Sequence, residues 1–340
     1  MEAIFSIPYN GDPELVAEAV KSGKVGEVYF AMPGHDSAAT RHFGIKASQD
    51  ISGEARRLAS MLRLCNRHKI KTNMLCNAPY LSDFQACGNQ DSNSKSYNFP
   101  EKIVSCANII KPDAITISDP LFISFFRKRL PGVSIHASVI MNIDSAEKAR
   151  QAFMAGVKVI TPAAEVNRNL NVLEAIAETR RSFEGTSVKL MSNYYCGYDC
   201  LYRASHYASR QNGCLPKGKD CFFIQKYSYE ILKRPFIRPE DISFYAERGL
   251  ADIFKIIARY QPSSQLKKIY AAYFSGEYNG NLYDLIGGGH GNYGHSSVFF
   301  LNNVVIPSEF VIKTSSCSKN CENCGWCGKI YKKAVSKSLA

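Results

Sequence analysis

The chain has 340 residues, 45% hydrophobic and 21% charged, with 19 Tyr and 19 Phe, a globular composition that excludes a disordered chain. No stretch approaches the ~18 consecutive apolar residues of a membrane span, and Met1-Glu2-Ala3 opens without the basic segment of a signal peptide, so the expectation is a cytoplasmic protein. Lys and Arg outnumber Asp and Glu by 42 to 30, a net charge of +12; this favours an anionic partner such as nucleic acid, an acidic metabolite or an acidic protein face.

From Ala3 to about Cys196 short β-type runs alternate with amphipathic stretches. Ala3–Pro8 reads as a strand. Asp12-Pro13 then supplies a helix cap and a first-position proline, Leu15, Ala19 and Val20 share one face, and Gly23 stops the helix. Val25–Ala31 is the second strand. A helix over roughly Ser52–Lys69, with Leu58, Leu62 and Cys65 on one face, leads to a third strand at Ile70–Asn77. Ala114–Ser118 is followed by a helical stretch at Pro120–Leu130, Val133–Val139 by one at Ser145–Gly156, and Val157–Pro162 by one at Leu170–Ser182. Val188–Tyr194 is the seventh strand. An eighth is available at Ala251–Ile257, behind a helix at Pro239–Arg248. Alternation of this kind predicts a parallel α/β sheet, and eight units favour a closed (β/α)8 TIM-like barrel over an open doubly wound sheet.

The alternation breaks after Cys196. Residues 196–235 carry four cysteines and many aromatics without a clean period, and read as a cysteine-rich insertion after strand 7. Such insertions leave the strand C-terminal face, where barrel enzymes keep their sites. A long helix fits Gln265–Ser275, which closes a barrel unit of residues 1–275. The remaining 276–340 form a C-terminal extension with a four-cysteine motif. Within it Gly287-Gly288-Gly289-His290-Gly291 begins a loop read as a connector, or as a cradle with His290 and His295 as ligands; it lacks the lysine of a P-loop. Val298–Ile306 and Phe310–Lys313 suggest a terminal hairpin, and Lys332-Lys333 a solvated tail.

Twelve cysteines in a reducing compartment call for something other than disulfides. Eight fall in two windows, Cys196-x3-Cys200-x13-Cys214-x6-Cys221 and Cys317-x3-Cys321-x2-Cys324-x2-Cys327. Four thiolates are what a 4Fe-4S cluster needs. The second window is the tighter, with Asn320, Asn323 and Gly325 allowing turns between ligands. Structural zinc is the alternative there. Its first three cysteines also share the radical SAM spacing, but that motif precedes its barrel, and here the barrel comes first.

Several passages resemble the U32 family of collagenase-like peptidases. They are Pro131-Gly132-Val133-Ser134-Ile135-His136-Ala137-Ser138, Met141-Asn142-Ile143, Gly156-Val157 and Glu165, then Ile237-Arg238-Pro239-Glu240-Asp241-Ile242, Gly249, Lys255-Ile256 and Arg259. Val28-Tyr29, Asn77 and Asp119 fit the same order, so the resemblance spans about residues 3–275. It implies a TIM-like barrel with an iron–sulfur site on four cysteines after strand 7, here Cys196, Cys200, Cys214 and Cys221. It also implies oxygen-independent hydroxylation rather than proteolysis: some members act on quinone precursors and others on RNA bases, with prephenate implicated as an oxygen source. The sequence departs from the family pattern at Lys189–Tyr195, where a glutamate and a glycine are usual, and at Ile257-Ala258-Arg259, where Glu-Gly-Arg is common.

Strand ends supply the candidate catalytic residues. His136 could move protons, Asp119, Asn77 and Glu165 could position a substrate, and Arg259 could grip a carboxylate. Arg41 and His42 are weaker candidates. No serine nucleophile elbow or His-Glu-x-x-His helix is present, and Cys76 reads as a buried strand thiol. The expectation is an iron–sulfur redox enzyme with one or two clusters acting on a small molecule. An RNA-modifying or RNA-binding protein and a non-catalytic partner of a related barrel chain are the other readings.

Overall fold

Each β-run alternates between apolar and polar or small residues, and closure into a barrel gives each set its own environment. In a computed structural model of the chain, which describes residues 2–33, 51–78, 99–211, 228–286 and 299–337, eight parallel strands close in sequential order. They are β1 (Ile4–Pro8), β2 (Val25–Ala31), β3 (Lys71–Cys76), β4 (Ala114–Ile117), β5 (Ser134–Ala137), β6 (Val159–Ile160), β7 (Ser187–Met191) and β8 (Ile253–Lys255). Pairing of β8 with both β7 and β1 completes the ring. Phe5, Ile7, Val28, Phe30, Ile115, Ile117, Leu190 and Phe254 face outward into a dry layer under the helices.

The helices begin where local chemistry allows. Asp12 accepts from the amides of Glu14 and Leu15 at 2.9 and 3.1 Å and opens α1 (Pro13–Val20). Between β2 and β3 lies α2 (Ile51–Arg67), and between β3 and β4 lies α3 (Phe99–Ile110). The second was not expected from the sequence. Its buried face is Pro100, Ile103, Val104 and Ala107, and Asn98, Pro100 and Glu101 are start signals in the sequence that were passed over. A 3-10 turn at Pro120–Phe122 leads into α4 (Ile123–Arg129). Ser145 and Asn169 cap α5 (Ala146–Met154) and α6 (Leu170–Arg181). Within the insertion Arg203–Gln211 forms α7, followed by α8 (Ile242–Glu247) and α9 (Ser263–Ser275), which Gly276 ends in the left-handed conformation at φ 77°.

The C-terminal segment corrects the expected hairpin. Phe299–Leu301 (β9) pairs antiparallel with Val335–Lys337 (β10), whereas Phe310–Ser316 is a helix, α11, after the short α10 (Leu282–Leu285). Phe310, Val311, Thr314 and Ser315 are buried, a helical period that a strand cannot present to one surface. Two further helices follow, α12 (Cys321–Cys324) and α13 (Trp326–Ala334). Lys332 and Lys333 are exposed as expected, but on the last turn of α13 and not in a tail.

Leu301, Ile306, Phe310, Ile330 and Tyr331 belong to the same apolar core as the barrel. Arg238 fastens the two parts. It is fully buried, holds Asp241 through two 2.8 Å bonds, and donates to the carbonyls of Ile306 and Pro307. Among the described residues no helix is long and apolar enough to cross a membrane.

Candidate active site and cysteine segments

The barrel interior of most such folds is filled by Val, Ile and Leu. Here it is polar. Ser6 of β1 and Lys189 of β7 both donate to Oε1 of Glu27 on β2, each at 2.5 Å. Asn73 of β3 donates to the other carboxylate oxygen at 3.1 Å and sits 3.0 Å from Nδ1 of His136 on β5, while Thr116 of β4 donates to the Asn73 carbonyl oxygen at 2.9 Å. Reversing the Asn73 amide would set its oxygen against the carboxylate, so its NH2 faces Glu27 and His136. Nδ1 of His136 is then the acceptor and Nε2 carries the proton. Six strands contribute to one network.

The charges in it are fixed by burial and by each other. Burial, the largest single influence, would raise the Glu27 carboxyl, but the Lys189 ammonium, the His136 ring and the bonds from Lys189 and Ser6 together outweigh it and hold the group down at about 2. Burial and Lys189 together push His136 down to about 3, against the pull of Glu27, so the imidazole is neutral at pH 7. A second lysine, Lys255 of β8, has no carboxylate of its own. Burial first, then repulsion from Lys189, brings it down to about 7, although Glu27 pulls the other way.

Above this network, at the C-terminal end of the strands, a cavity of about 660 Å³ opens to solvent. Tyr29, Asn77, Lys255 and Arg259 line it, with Tyr194 and Tyr207 on the side of the insertion. The ammonium of Lys255 lies 4.0 Å from the centre of the Tyr29 ring, and the Tyr29 hydroxyl donates to the Ile256 carbonyl at 2.9 Å. Asn77 donates to Ser138 at 3.3 Å, and its carbonyl oxygen has no partner among the described residues. Arg259 follows Ala258, whose φ of 137° is costly for a residue with a Cβ. Asn193 holds that conformation by bonding both the amide and the carbonyl of Ile257, at 2.7 and 2.8 Å.

The remaining candidates take other positions. His136 belongs to the network beneath the cavity and does not line it. Asp119 caps the Pro120 turn by accepting from Leu121 at 3.0 Å and also stands outside the lining. Glu165 pairs with Arg203 and accepts from the Asp199 amide at 3.1 Å, which ties the insertion to the end of β6. Cys76 is fully buried and its thiol is pushed well up by burial, the environment of an inert core residue. Arg41, His42, His290 and His295 lie outside the described residues.

Of the first cysteine window Cys196 and Cys200 are described, and Cys214 and Cys221 lie outside the described residues. The Cys200 thiol donates to Cys196, and this bond, aided by Arg203 and opposed by burial, brings Cys196 down to about 5 while Cys200 is raised. All four cysteines of the second window line one cavity of about 430 Å³, with Lys233, Lys313 and Lys319 at its edge and no His, Asp or Glu in its wall. Gly325, at φ 60°, turns the chain between Cys324 and Cys327. Among the described residues no three Cys, His, Asp or Glu side chains close to metal-ligating geometry. The two windows adjoin: Lys319 donates to Cys317 at 3.3 Å and lies 5.6 Å from the ring of Tyr198, between Cys196 and Cys200.

Sequence reasoning missed Glu27, Lys189 and the interior role of Lys255. The signal was available, since a lone charge inside an otherwise apolar parallel strand has to find a partner. Val25-Gly26-Glu27-Val28, Val188-Lys189-Leu190 and Phe254-Lys255-Ile256 all show it.

An eight-stranded parallel barrel with a polar interior, a mouth cavity and cysteines beyond strand 7 defines a TIM-barrel protein with its site at the strand C-terminal face. The chain belongs to the U32 peptidase family, whose profile matches residues 18–192, just over half of its length. It is similar to an uncharacterized protease of Methanocaldococcus jannaschii, 27% identical over 289 residues that cover 82% of this chain and 81% of the relative. Among solved structures it resembles a U32 peptidase with a TM-score of 0.53 and 11% identity, over 76% of this chain and 94% of that one. The last likeness is one of fold.

Proposed function

We propose that this chain is an iron–sulfur-dependent redox enzyme that binds a small-molecule precursor in the barrel mouth and hydroxylates it without molecular oxygen. The observation that carries this reading is the gathering of Cys317, Cys321, Cys324 and Cys327 around one cavity beside the Cys196–Cys200 segment. Four cysteines with no carboxylate or imidazole among the lining residues fit an iron–sulfur cluster or a four-cysteine zinc site better than a hard, oxygen-ligated metal. A zinc ion draws four sulfurs to ~2.3 Å of one point. A 4Fe-4S cluster spreads them over a larger body, and the compact C-x3-C-x2-C-x2-C wrap resembles ferredoxin-type ligation more than the two separated knuckles of a zinc ribbon. Burial raises the Cys327 thiol to about 11, with Arg168 pulling the other way, so a metal bound there would have to displace that proton. When bound, such a cluster supplies one-electron transfer.

The chain's own residues do the rest. Arg259 and Lys255 attract an anionic substrate to the mouth, and Asn77 offers an acceptor to a substrate hydroxyl or amide. Tyr194 and Tyr207, hydrogen-bonded to each other at 2.7 Å, wall the cavity on the side of the cysteines and limit the entry of water. A second cluster on Cys196, Cys200, Cys214 and Cys221 belongs to the same reading.

Anaerobic purification with iron, sulfide and zinc counted tests it. Wild-type protein should carry iron and sulfide in equal amounts, and the C321A/C324A variant should lose one cluster's worth. Unchanged metal in the variant, or zinc without sulfide, would overturn the assignment. An RNA substrate would instead reveal itself as binding that falls steeply with salt.

A further inference from the structure

We propose that Lys255 is a nucleophilic amine that condenses reversibly with the carbonyl carbon of an aldehyde or ketone bearing a carboxylate, the carboxylate being held by Arg259. The inference rests on the mouth cavity being the substrate site and needs no cluster. Three observations carry it. Lys255 and Arg259 line the same cavity at the C-terminal face of the barrel, where substrates of this fold react. Among the described residues the Lys255 ammonium makes no hydrogen bond or ion pair; its one close contact is the Tyr29 ring at 4.0 Å, and that ring is held by its hydroxyl on the Ile256 carbonyl. The interior carboxylate is already committed, because Glu27 accepts from Lys189, Ser6 and Asn73.

The groups facing Lys255 keep its amine reactive at neutral pH. Lys189 on β7 and Arg259 beyond β8 repel its proton, and Glu27 on β2 attracts it. Burial outweighs each of them, so the group titrates near 7. His136 on β5 is neutral and adds no charge, and the Tyr29 phenol offers only its ring face. A far larger share of Lys255 is therefore free amine at neutral pH than of an exposed lysine with a pKa of ~10.4.

The chemistry balances without an oxidant or reductant. The Nζ lone pair attacks the carbonyl carbon, the carbonyl oxygen takes a proton, and the resulting carbinolamine expels water. The product is a protonated imine on Nζ, so amine, carbonyl compound and one proton give iminium and water. Such an iminium withdraws electrons from the adjacent carbon and makes it open to proton loss or to attack. A carboxylate on the same carbonyl compound would reach Arg259, whose guanidinium forms paired bonds with carboxylates.

The test is reductive trapping of the full chain with glyoxylate or pyruvate and sodium cyanoborohydride near pH 7.5, read by peptide mass mapping. Lys255 should carry the reduced adduct well ahead of exposed lysines such as Lys332 and Lys333. The R259A variant should trap these acids about tenfold less relative to propanal than the wild type does, a ratio that cancels any change Arg259 makes to the amine itself. The C321A/C324A variant should still trap. Labelling of exposed lysines with Lys255 untouched in wild-type protein overturns the nucleophile. An equal ratio of glyoxylate to propanal trapping with and without Arg259 overturns the carboxylate site. Normal metal content with no Lys255 adduct sinks this inference alone, and an adduct in protein without metal sinks only the cluster reading.

Discussion

The barrel interior and the C-terminal cysteine cavity are both built from groups that water would otherwise solvate, yet they are finished to different degrees. Inside the barrel every atom of the Glu27 carboxylate has donors from the protein itself, and Lys189 balances its charge. At the C terminus four thiols share a cavity, and Lys319 is the cation that reaches one of them. A network completed by protein groups holds the fold in shape by itself. A cavity walled by soft ligands contributes most through what it binds. The difference separates architecture from chemistry in this molecule: the first region sets the floor of the mouth, and the second is where a metal would bring reactivity.

The largest expected effect breaks the first region. E27A leaves Lys189 buried without its partner and should cost ~3–5 kcal/mol, a large share of the ~5–15 kcal/mol of a typical domain, read by urea denaturation. Pairing E27L with K189M should recover most of that loss, since two apolar side chains need no partners. A loss below ~1 kcal/mol in E27A would show that the network is incidental to the fold.

A chelator challenge sharpens the second region. Loaded wild-type protein should lose several degrees of Tm on iron removal, whereas C321A/C324A, which cannot hold the metal, should start at the lower Tm and not move. Equal shifts in both proteins would mean that the cavity is not the binding site.

A pH dependence joins the two regions through the mouth. Lys255 titrates near 7 in the folded chain and at ~10.4 unfolded. Between these values the unfolded chain binds the extra proton, so stability rises with pH from about 7 towards 10. The rise should be absent in K255M. Glu27, held near 2, works in the opposite range: its contribution is present above ~4.3, its unfolded value, and declines as pH falls towards 2.

Much of this was legible in the chain alone. Val25–Ala31 appears in the sequence with the bounds it has in the fold, because an apolar run between Lys24 and a proline-bearing turn has one way to be buried. The Asp12-Pro13 cap and the stop after α9 depend on one or two residues and a local hydrogen bond, so they too could be read directly. The start of α3 was written in Asn98, Pro100 and Glu101 but was not read. Local sequence could not reveal α11, whose apolar face is short and which becomes a helix because the barrel offers Phe310 a place beside Phe236. Asn77 and Arg259 were found by their place at strand ends, and both line the mouth. Asp119 and Glu165 had the same credentials, yet one is used by a backbone amide and the other by Arg203.

What the sequence by itself determined is the eightfold alternation, the family and the two cysteine windows, since each is written in spacing along the chain. Only the tertiary structure decided which charges meet. Glu27 and Lys189 are 162 residues apart and become partners at 2.5 Å because barrel closure points alternate side chains of β2 and β7 at one axis. Closure likewise gives the one interior carboxylate to Lys189 and leaves Lys255 without it. The reason is physical: spacing fixes periodicity and local caps, but the protonation state of a buried group depends on distances that exist only after the ring has closed.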